Sequence, residues 1–161
     1  MDYDISLSKA ELLALLARER IAVIASVNPD GSAHAAPVWP IMVGDDVHFE
    51  TELASRKAKN LLARPGCSFV VGLGPWGPSA VLAGRAVEVT DEQLRAKVRE
   101  ITAIKFYGTV AHPGFKTIER QYKLFGGSVV FRLEPERVAS WDYEKMPESE
   151  WILPYVPGQR R

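Results

Sequence analysis

Residues 33–43 read AHAAPVWPIMV, a β-rich run broken by two prolines three positions apart. Neither Pro37 nor Pro40 carries a backbone N–H, so a strand here must leave both positions unpaired or bulged. Unpaired backbone beside a pocket is free to serve a ligand. The flanking punctuation is that of antiparallel β structure. Residues 21–27 are short and rich in β-branched side chains. They stop at Asn28-Pro29-Asp30-Gly31, where proline presets one turn angle and glycine accepts the other. Gly44-Asp45-Asp46 turns the chain again into residues 47–51, which predicts a three-strand meander.

The remaining periodicity adds more strands than helices. Strands are expected over 67–73 and 79–89, joined by GPWGP. Residues 128–133 and 138–143 alternate apolar and polar side chains around Glu134-Pro135-Glu136, as a last hairpin or bent strand pair. A helix over 8–18 opens with a capping box, Ser8 with Glu11, and carries Leu12, Leu13, Leu15 and Leu16. A second, over 91–106, follows a cap signature at Thr90 and Gln93 and shows a stripe of Leu94, Val98, Ile101 and Phe106. Residues 108–127 predict a loop to Gly114 and then a helix over 116–125. Many strands with few helices indicate a mainly β fold with α elements, an antiparallel β-barrel decorated by helices.

Length, charge and cysteine usage narrow the function classes. With 161 residues, 47% of them hydrophobic, the chain makes one domain with a core of its own, and three prolines after Met146 predict an extended C-terminal arm. Twenty basic residues balance twenty acidic ones, which removes the electrostatic footprint of a nucleic-acid or anionic-membrane binder. Any anion site is therefore local. Cys67 is the sole cysteine and lies in an apolar run, so it reads as a core thiol rather than a metal ligand. The acidic N-terminus has no apolar signal region, and no run of about 18 apolar residues occurs, so a cytoplasmic protein is expected.

Several motifs fail on physical grounds. Gly72-Leu73-Gly74-Pro75-Trp76-Gly77 matches GxGxxG, but a dinucleotide site needs a helix to start there, and Pro78 with the β-rich run after it argues against one. His34, His48 and His112 are too dispersed for a metal pattern, and no GxSxG elbow supports a Ser/His/Asp hydrolase. Trp39, Trp76, Trp141 and Trp151 are core candidates as individuals. Trp39 and Trp76 sit beside prolines or glycines at strand ends, where flat ligands can stack.

The segment FETELASRKAKNLLARPG, residues 49–66, carries the sharpest chemical signal. Ser55 reads as an N-cap, which places Arg56, Lys57 and Lys59 in the first turn of a helix. A helix N-terminus already carries about half a positive charge, so each added cation costs from a few tenths to about 1 kcal/mol. A phosphate offsets that cost, because free backbone N–H groups, the dipole and long cationic side chains converge on one anion.

The ordered series of helix, strand, NPDG turn, APVWP, HFET, SRKAKNL and VLAGRAVEV resembles the FMN-binding split-barrel family typified by pyridoxamine 5'-phosphate oxidase and its deazaflavin-using relatives. The likeness covers residues 10–89, with a weaker echo at 134–143. The resemblance implies that Arg56 and Lys57 hold the flavin phosphate with help from Ser55 and Thr51. It also implies that residues 35–40, including Val38, Trp39 and Pro40, line the ring edge with Glu50 and Thr51. A flavin-contacting glutamine of the family falls on Ser79, a shorter side chain. Trp141 resembles the tryptophan that closes the site from a partner subunit, so a homodimer is expected. Lys57-Ala58-Lys59-Asn60-Leu61 fits the KxxNL pattern of the deazaflavin group, which adds Asn60 to the candidate site.

The departures are equally informative. The oxidase proper has an Arg-Leu-His-type cluster after that tryptophan, whereas this chain continues Asp142-Tyr143-Glu144-Lys145-Met146. The resemblance therefore implies an oxidoreductase that transfers hydride between FMN, or alternatively deazaflavin F-420, and a small molecule other than a pyridoxal precursor. No metal, nucleic acid or membrane partner is expected, and no acid or base is assigned, although Tyr143, His34 and His48 are within the range of positions to consider. A non-catalytic flavin carrier or sensor and a haem-binding split barrel are the competing readings.

Overall fold

The computed structural model describes residues 4–72, 74 and 76–147. Seven antiparallel strands form one sheet: β1 (Ala22–Val27), β2 (Ala33–Val38), β3 (Ile41–Val43), β4 (Asp46–Glu52), β5 (Gly66–Val71), β6 (Ser79–Glu88) and β7 (Ser128–Trp141). Four helices accompany them: α1 (Lys9–Arg18), α2 (Arg56–Ala63), α3 (Glu92–Tyr107) and α4 (Pro113–Leu124).

The strand order is β2-β1-β5-β6-β7-β4-β3, so β2 and β3 are the two edges of the sheet. They are also consecutive in the chain, separated by Trp39 and Pro40 alone. Four Cα atoms, from Val38 to Ile41, can span at most about 11 Å, so the sheet has to curl until its edges approach one another. The result is a split barrel.

This arrangement corrects the expected meander. The run 33–43 is two strands: β2 pairs with β1, with Pro37 opposite Val23, while β3 pairs only with β4. Pro37 is tolerated because β2 is an edge, and Pro40 lies in the crossover where no ladder bond is required. The prolines mark where the sheet is cut.

The last two expected strands are instead one continuous strand, β7, which pairs with both β4 and β6. The Glu134-Pro135-Glu136 break is absorbed as a bulge. Ala83 faces Arg137 while Gly84 faces Pro135, which leaves Glu136 as the extra residue. Gly84 is required there, since a Cβ would stand 2.1 Å from the Glu134 carbonyl oxygen.

Helix starts follow capping chemistry. The α1 capping box is present, with Ser8 N–H donating to Glu11 Oε2 at 2.7 Å. The cap of α3 is Asp91 rather than Thr90: Asp91 Oδ1 accepts from Leu94 N–H at 2.7 Å, and a carboxylate serves the helix dipole better than a hydroxyl. Helix α4 starts three residues earlier than 116, because Pro113 suits the first helical position and His112 Nδ1 accepts from Gly114 N–H at 3.0 Å. The glycine-rich β5–β6 connection holds no helix among its described residues, and Gly72 takes φ +74°.

Phe49, Phe69 and Phe131 fill the barrel, with the Phe49 and Phe131 rings 5.3 Å apart. Each contributes about 1.5–3 kcal/mol by burial. Cys67 packs against this cluster, and burial pushes its thiol up to about 11, which keeps it unreactive. A second cluster of Ile41, Val89, Val98 and Val130 seats α3 on the outside of the sheet. No described helix is long and apolar enough to cross a membrane. The expected arm after Met146 and Trp151 lie outside the described residues, apart from Pro147.

Candidate functional site

At the end of β4 the chain turns sharply, with Leu53 N–H bonded to Gly127 O at 3.0 Å and Ser55 N–H to Glu52 O at 3.1 Å. Helix α2 then begins. Ser55 Oγ accepts from Ala58 N–H at 3.3 Å, and Thr51 Oγ1 lies 3.4 Å from Ser55 Oγ. The first turn contains no acidic residue; the carboxylates that share the two neighbouring hollows with these cations, Asp30 with Arg56 and Glu50 and Glu52 with Lys57, come from other elements.

Arg56 and Lys57 diverge. Lys57 lines a cavity of about 400 Å³ together with Val38, Trp39, Glu50 and Thr51. Arg56 borders a separate concavity with Asn28, Asp30 and His34. The α2 N-terminus therefore stands between two hollows, and the two cations of the expected clamp face different ones. Lys59 is exposed and lines neither.

The Trp39-Pro40 wall is fixed by the end of α3. Trp39 stacks on Phe106 with centroids 4.4 Å apart and planes 19° from parallel, and Tyr107 meets it edge-on at 6.3 Å. Lys105 Nζ donates to the Pro40 carbonyl at 2.8 Å. Burial, then the nearby Arg20 guanidinium, draws the Lys105 ammonium down to about 8. Arg20 itself sits over the Phe106 ring at 4.8 Å and donates to Lys105 O at 3.2 Å. The helical pattern of α3 was readable, but the clamp on the crossover needed the tertiary structure.

The acidic side of the cavity is also organised. The Glu50 side chain is 6% exposed and accepts from Arg99 Nε at 2.9 Å and from Ser128 Oγ, while Arg99 also donates to Ser128 Oγ at 3.0 Å. Sequence reasoning did not find Arg99. Glu52 accepts from Thr51 Oγ1 at 3.2 Å. Tyr122 of α4 completes this wall with Ile118 and Gln121. Burial, followed by the Glu50 and Glu52 carboxylates, pushes the Tyr122 phenol far up, so it is a hydrogen-bond donor at any physiological pH.

Other candidates serve elsewhere. Asn60 is buried, and its amide donates to Ser26 Oγ at 3.2 Å and Asn28 Oδ1 at 3.0 Å, tying α2 to β1. Ser79 Oγ donates to the Gly72 carbonyl and closes the β5–β6 connection. Trp141 faces Ser79 across the ladder, twelve residues along β7 from Val129, the partner of Thr51. That is roughly 40 Å of strand. His34 lies beside Arg56, His48 is buried in β4, and Tyr143 is in a 3-10 turn after β7. None of these three borders the main cavity.

A phosphate-bearing flat cofactor fits these residues. Lys57 and the α2 N-terminus, whose first turn has no acidic residue, suit a phosphate, and the Trp39 wall, stacked on Phe106, suits a ring.

The sequence profile of the pyridoxamine 5'-phosphate oxidase family matches residues 8–142. A search among curated proteins finds no match. Among solved structures, a conserved hypothetical protein from Mycobacterium tuberculosis is similar at 25% identity and a TM-score of 0.76, over 92% of this chain and 94% of that one. General stress protein 26 from Bacillus anthracis aligns at 15% identity and TM-score 0.62, over 83% and 92%. An F420 reductase aligns at 20% identity and TM-score 0.57, over 78% and 94%. These last two likenesses concern the fold.

Proposed function

Because the chain belongs to the pyridoxamine 5'-phosphate oxidase family, we propose that it is an oxidoreductase that binds FMN, or alternatively deazaflavin F-420, in the cavity between Trp39 and Lys57. The observation that carries this reading is Lys57, a cation without an ion pair among the described residues, facing a cavity that also receives Thr51 and Trp39. Likeness to an F420 reductase supports the deazaflavin alternative.

In this reading Lys57 and Thr51 hold the cofactor phosphate at the α2 N-terminus, with Ser55 orienting Thr51. Val38 and Trp39 support the ring, and Pro40, which does not itself line the cavity, holds that wall in place through the Lys105 bond to its carbonyl. Arg56 assists only by swinging out of its own concavity. The bound cofactor supplies the hydride chemistry, and the protein positions it and shapes the substrate side. The missing Arg-Leu-His-type cluster, replaced by Asp142-Tyr143-Glu144, excludes pyridoxine or pyridoxamine phosphate from the proposed substrates.

Because Trp141 resembles the tryptophan that closes the site from a partner subunit in the family, the proposal includes a homodimer. Mass spectrometry of ligand released from natively purified protein tests the cofactor assignment, with FMN or F-420 expected. Failure of both to bind at millimolar concentration contradicts it. A carrier built on the same site binds cofactor but does not consume its reduced form when given an acceptor.

A further inference from the structure

Helix α4 contributes Ile118, Gln121 and Tyr122 to the main cavity, at the i, i+3, i+4 spacing that places them on one helical stripe. The helix is anchored near its start: Phe115 is its only buried residue and its ring meets Tyr107 at 6.1 Å. Left-handed Gly108 precedes the helix, and Gly126 and Gly127 follow it. The part of α4 beyond that anchor stands over the cavity and faces Glu50 and Glu52, alternate residues of β4.

The charges on this side are unequal. Arg99 compensates Glu50 at 2.9 Å. Among the described residues the Glu52 carboxylate accepts from the Thr51 hydroxyl at 3.2 Å and has no cation within ion-pair distance. Lys57 is the one cation lining the cavity among the described residues, and a cofactor phosphate would occupy it. A second ligand would then meet an apolar Ile118, the neutral donors Gln121 and Tyr122, and one uncompensated carboxylate. Both carboxylates line the same cavity as the stripe, and burial first, then their charges, raise the Tyr122 phenol.

We propose that Ile118, Gln121 and Tyr122, opposite Glu52, form the substrate-recognising wall and select a flat nitrogen heteroaromatic that is neutral or cationic over an anionic one. This rests on the cofactor assignment above. Gln121 and Tyr122 hydrogen-bond the edge of the ring, Ile118 packs on it, and Glu52 attracts a cationic substituent while repelling a carboxylate.

The test uses the full-length protein saturated with FMN and three matched probes: quinoline, protonated 4-aminoquinoline and quinoline-4-carboxylate. Their dissociation constants are read by calorimetry at neutral pH. The expected order is cation tightest, then quinoline, then the carboxylate at least about tenfold weaker than quinoline. Glu52→Gln is expected to remove most of the cation's advantage. The double substitution Gln121→Ala with Tyr122→Phe is expected to weaken quinoline about fivefold or more while leaving FMN affinity unchanged. Equal or tighter binding of the carboxylate overturns the proposal, as does unchanged quinoline affinity in the double variant. A loss of FMN affinity matching the loss of quinoline affinity also overturns it, because α4 would then serve the cofactor. FMN binding is read in its own titration, and quinoline, which carries no charge for Lys57 to attract, is also titrated into cofactor-free wild type and double variant, so failure of FMN to bind is read separately from failure of the wall.

Discussion

His48 is 1% exposed on β4, with Nδ1 3.2 Å from Asp46 O. Burial, the leading cause, holds its folded-state pKa below the ordinary 6.5, with Arg132 acting in the same direction and Asp46 opposing it. A depressed histidine pKa means that the unfolded chain binds the proton first. Its contribution to stability is therefore intact above about pH 6.5 and is lost as pH falls from there through the lower folded value. We expect the melting temperature to decline as pH falls from 7 towards 5, and His48→Leu to flatten that decline. An unchanged pH dependence in the variant would contradict this. The residue's type was visible in the sequence, but its burial was not, because a lone histidine in a strand faces in or out according to register.

At the scale of elements, the β6–β7 ladder depends on one glycine. Replacing Gly84 by alanine puts a Cβ 2.1 Å from the Glu134 carbonyl and 2.9 Å from Pro135 Cα. The neighbours are backbone and can yield only by opening the bulge. A loss of about 2 kcal/mol or more is expected in denaturant titration, and a loss under about 0.5 kcal/mol would show that the bulge relaxes freely. A matched control is Gly66→Ala, which meets nothing within 4 Å.

Elements announced by their own side chains were legible. The Ser8–Glu11 capping box, the Asn28–Gly31 turn and the Ser55 cap all use contacts within four residues, and each appears as the sequence implied. What depends on distant pairing was not legible. The prolines of residues 33–43 state where a ladder bond is missing but not which strand comes next, so the split into two sheet edges was misread as a meander. In the same way the sequence placed Lys57 and Trp39 in one site. It could not supply Arg99 of α3 or the α4 stripe, because those approach Glu50 and the cavity only after the barrel curls.

At the scale of the whole molecule, the β2–β3 crossover joins the sheet's two edges, and α3 clamps that seam through Lys105, Phe106 and Tyr107. The proposed cofactor wall is thus part of barrel closure. Ser79 meets Trp141 across the β6–β7 ladder, and the proposed homodimer would bring the partner's Trp141 to the site. Light scattering of the cofactor-loaded protein is expected to give a dimer mass, and a monomer with cofactor still bound would contradict the homodimer. Since the oxidase's Arg-Leu-His-type cluster is replaced, no oxidation of pyridoxine phosphate is expected, and turnover near about ten per second would overturn that assignment.

The central claim is that Lys57 holds a phosphate at a helix end where its charge is otherwise unfavourable, and Lys57→Ala separates binding from stability. Cofactor affinity is expected to fall about ten- to a hundredfold, or roughly 1.5–3 kcal/mol, through loss of a charge-assisted contact. The cofactor-free variant is expected to melt at the same temperature or slightly higher, by at most about 1 kcal/mol in stability, since a cation leaves a positive helix end and alanine is the better helix former. Titration of FMN and F-420 into wild type and Lys57→Ala, with melting curves of both cofactor-free proteins, reads the two effects side by side. Weaker binding with undiminished apo stability is the predicted result, and unchanged affinity for both cofactors would contradict the account.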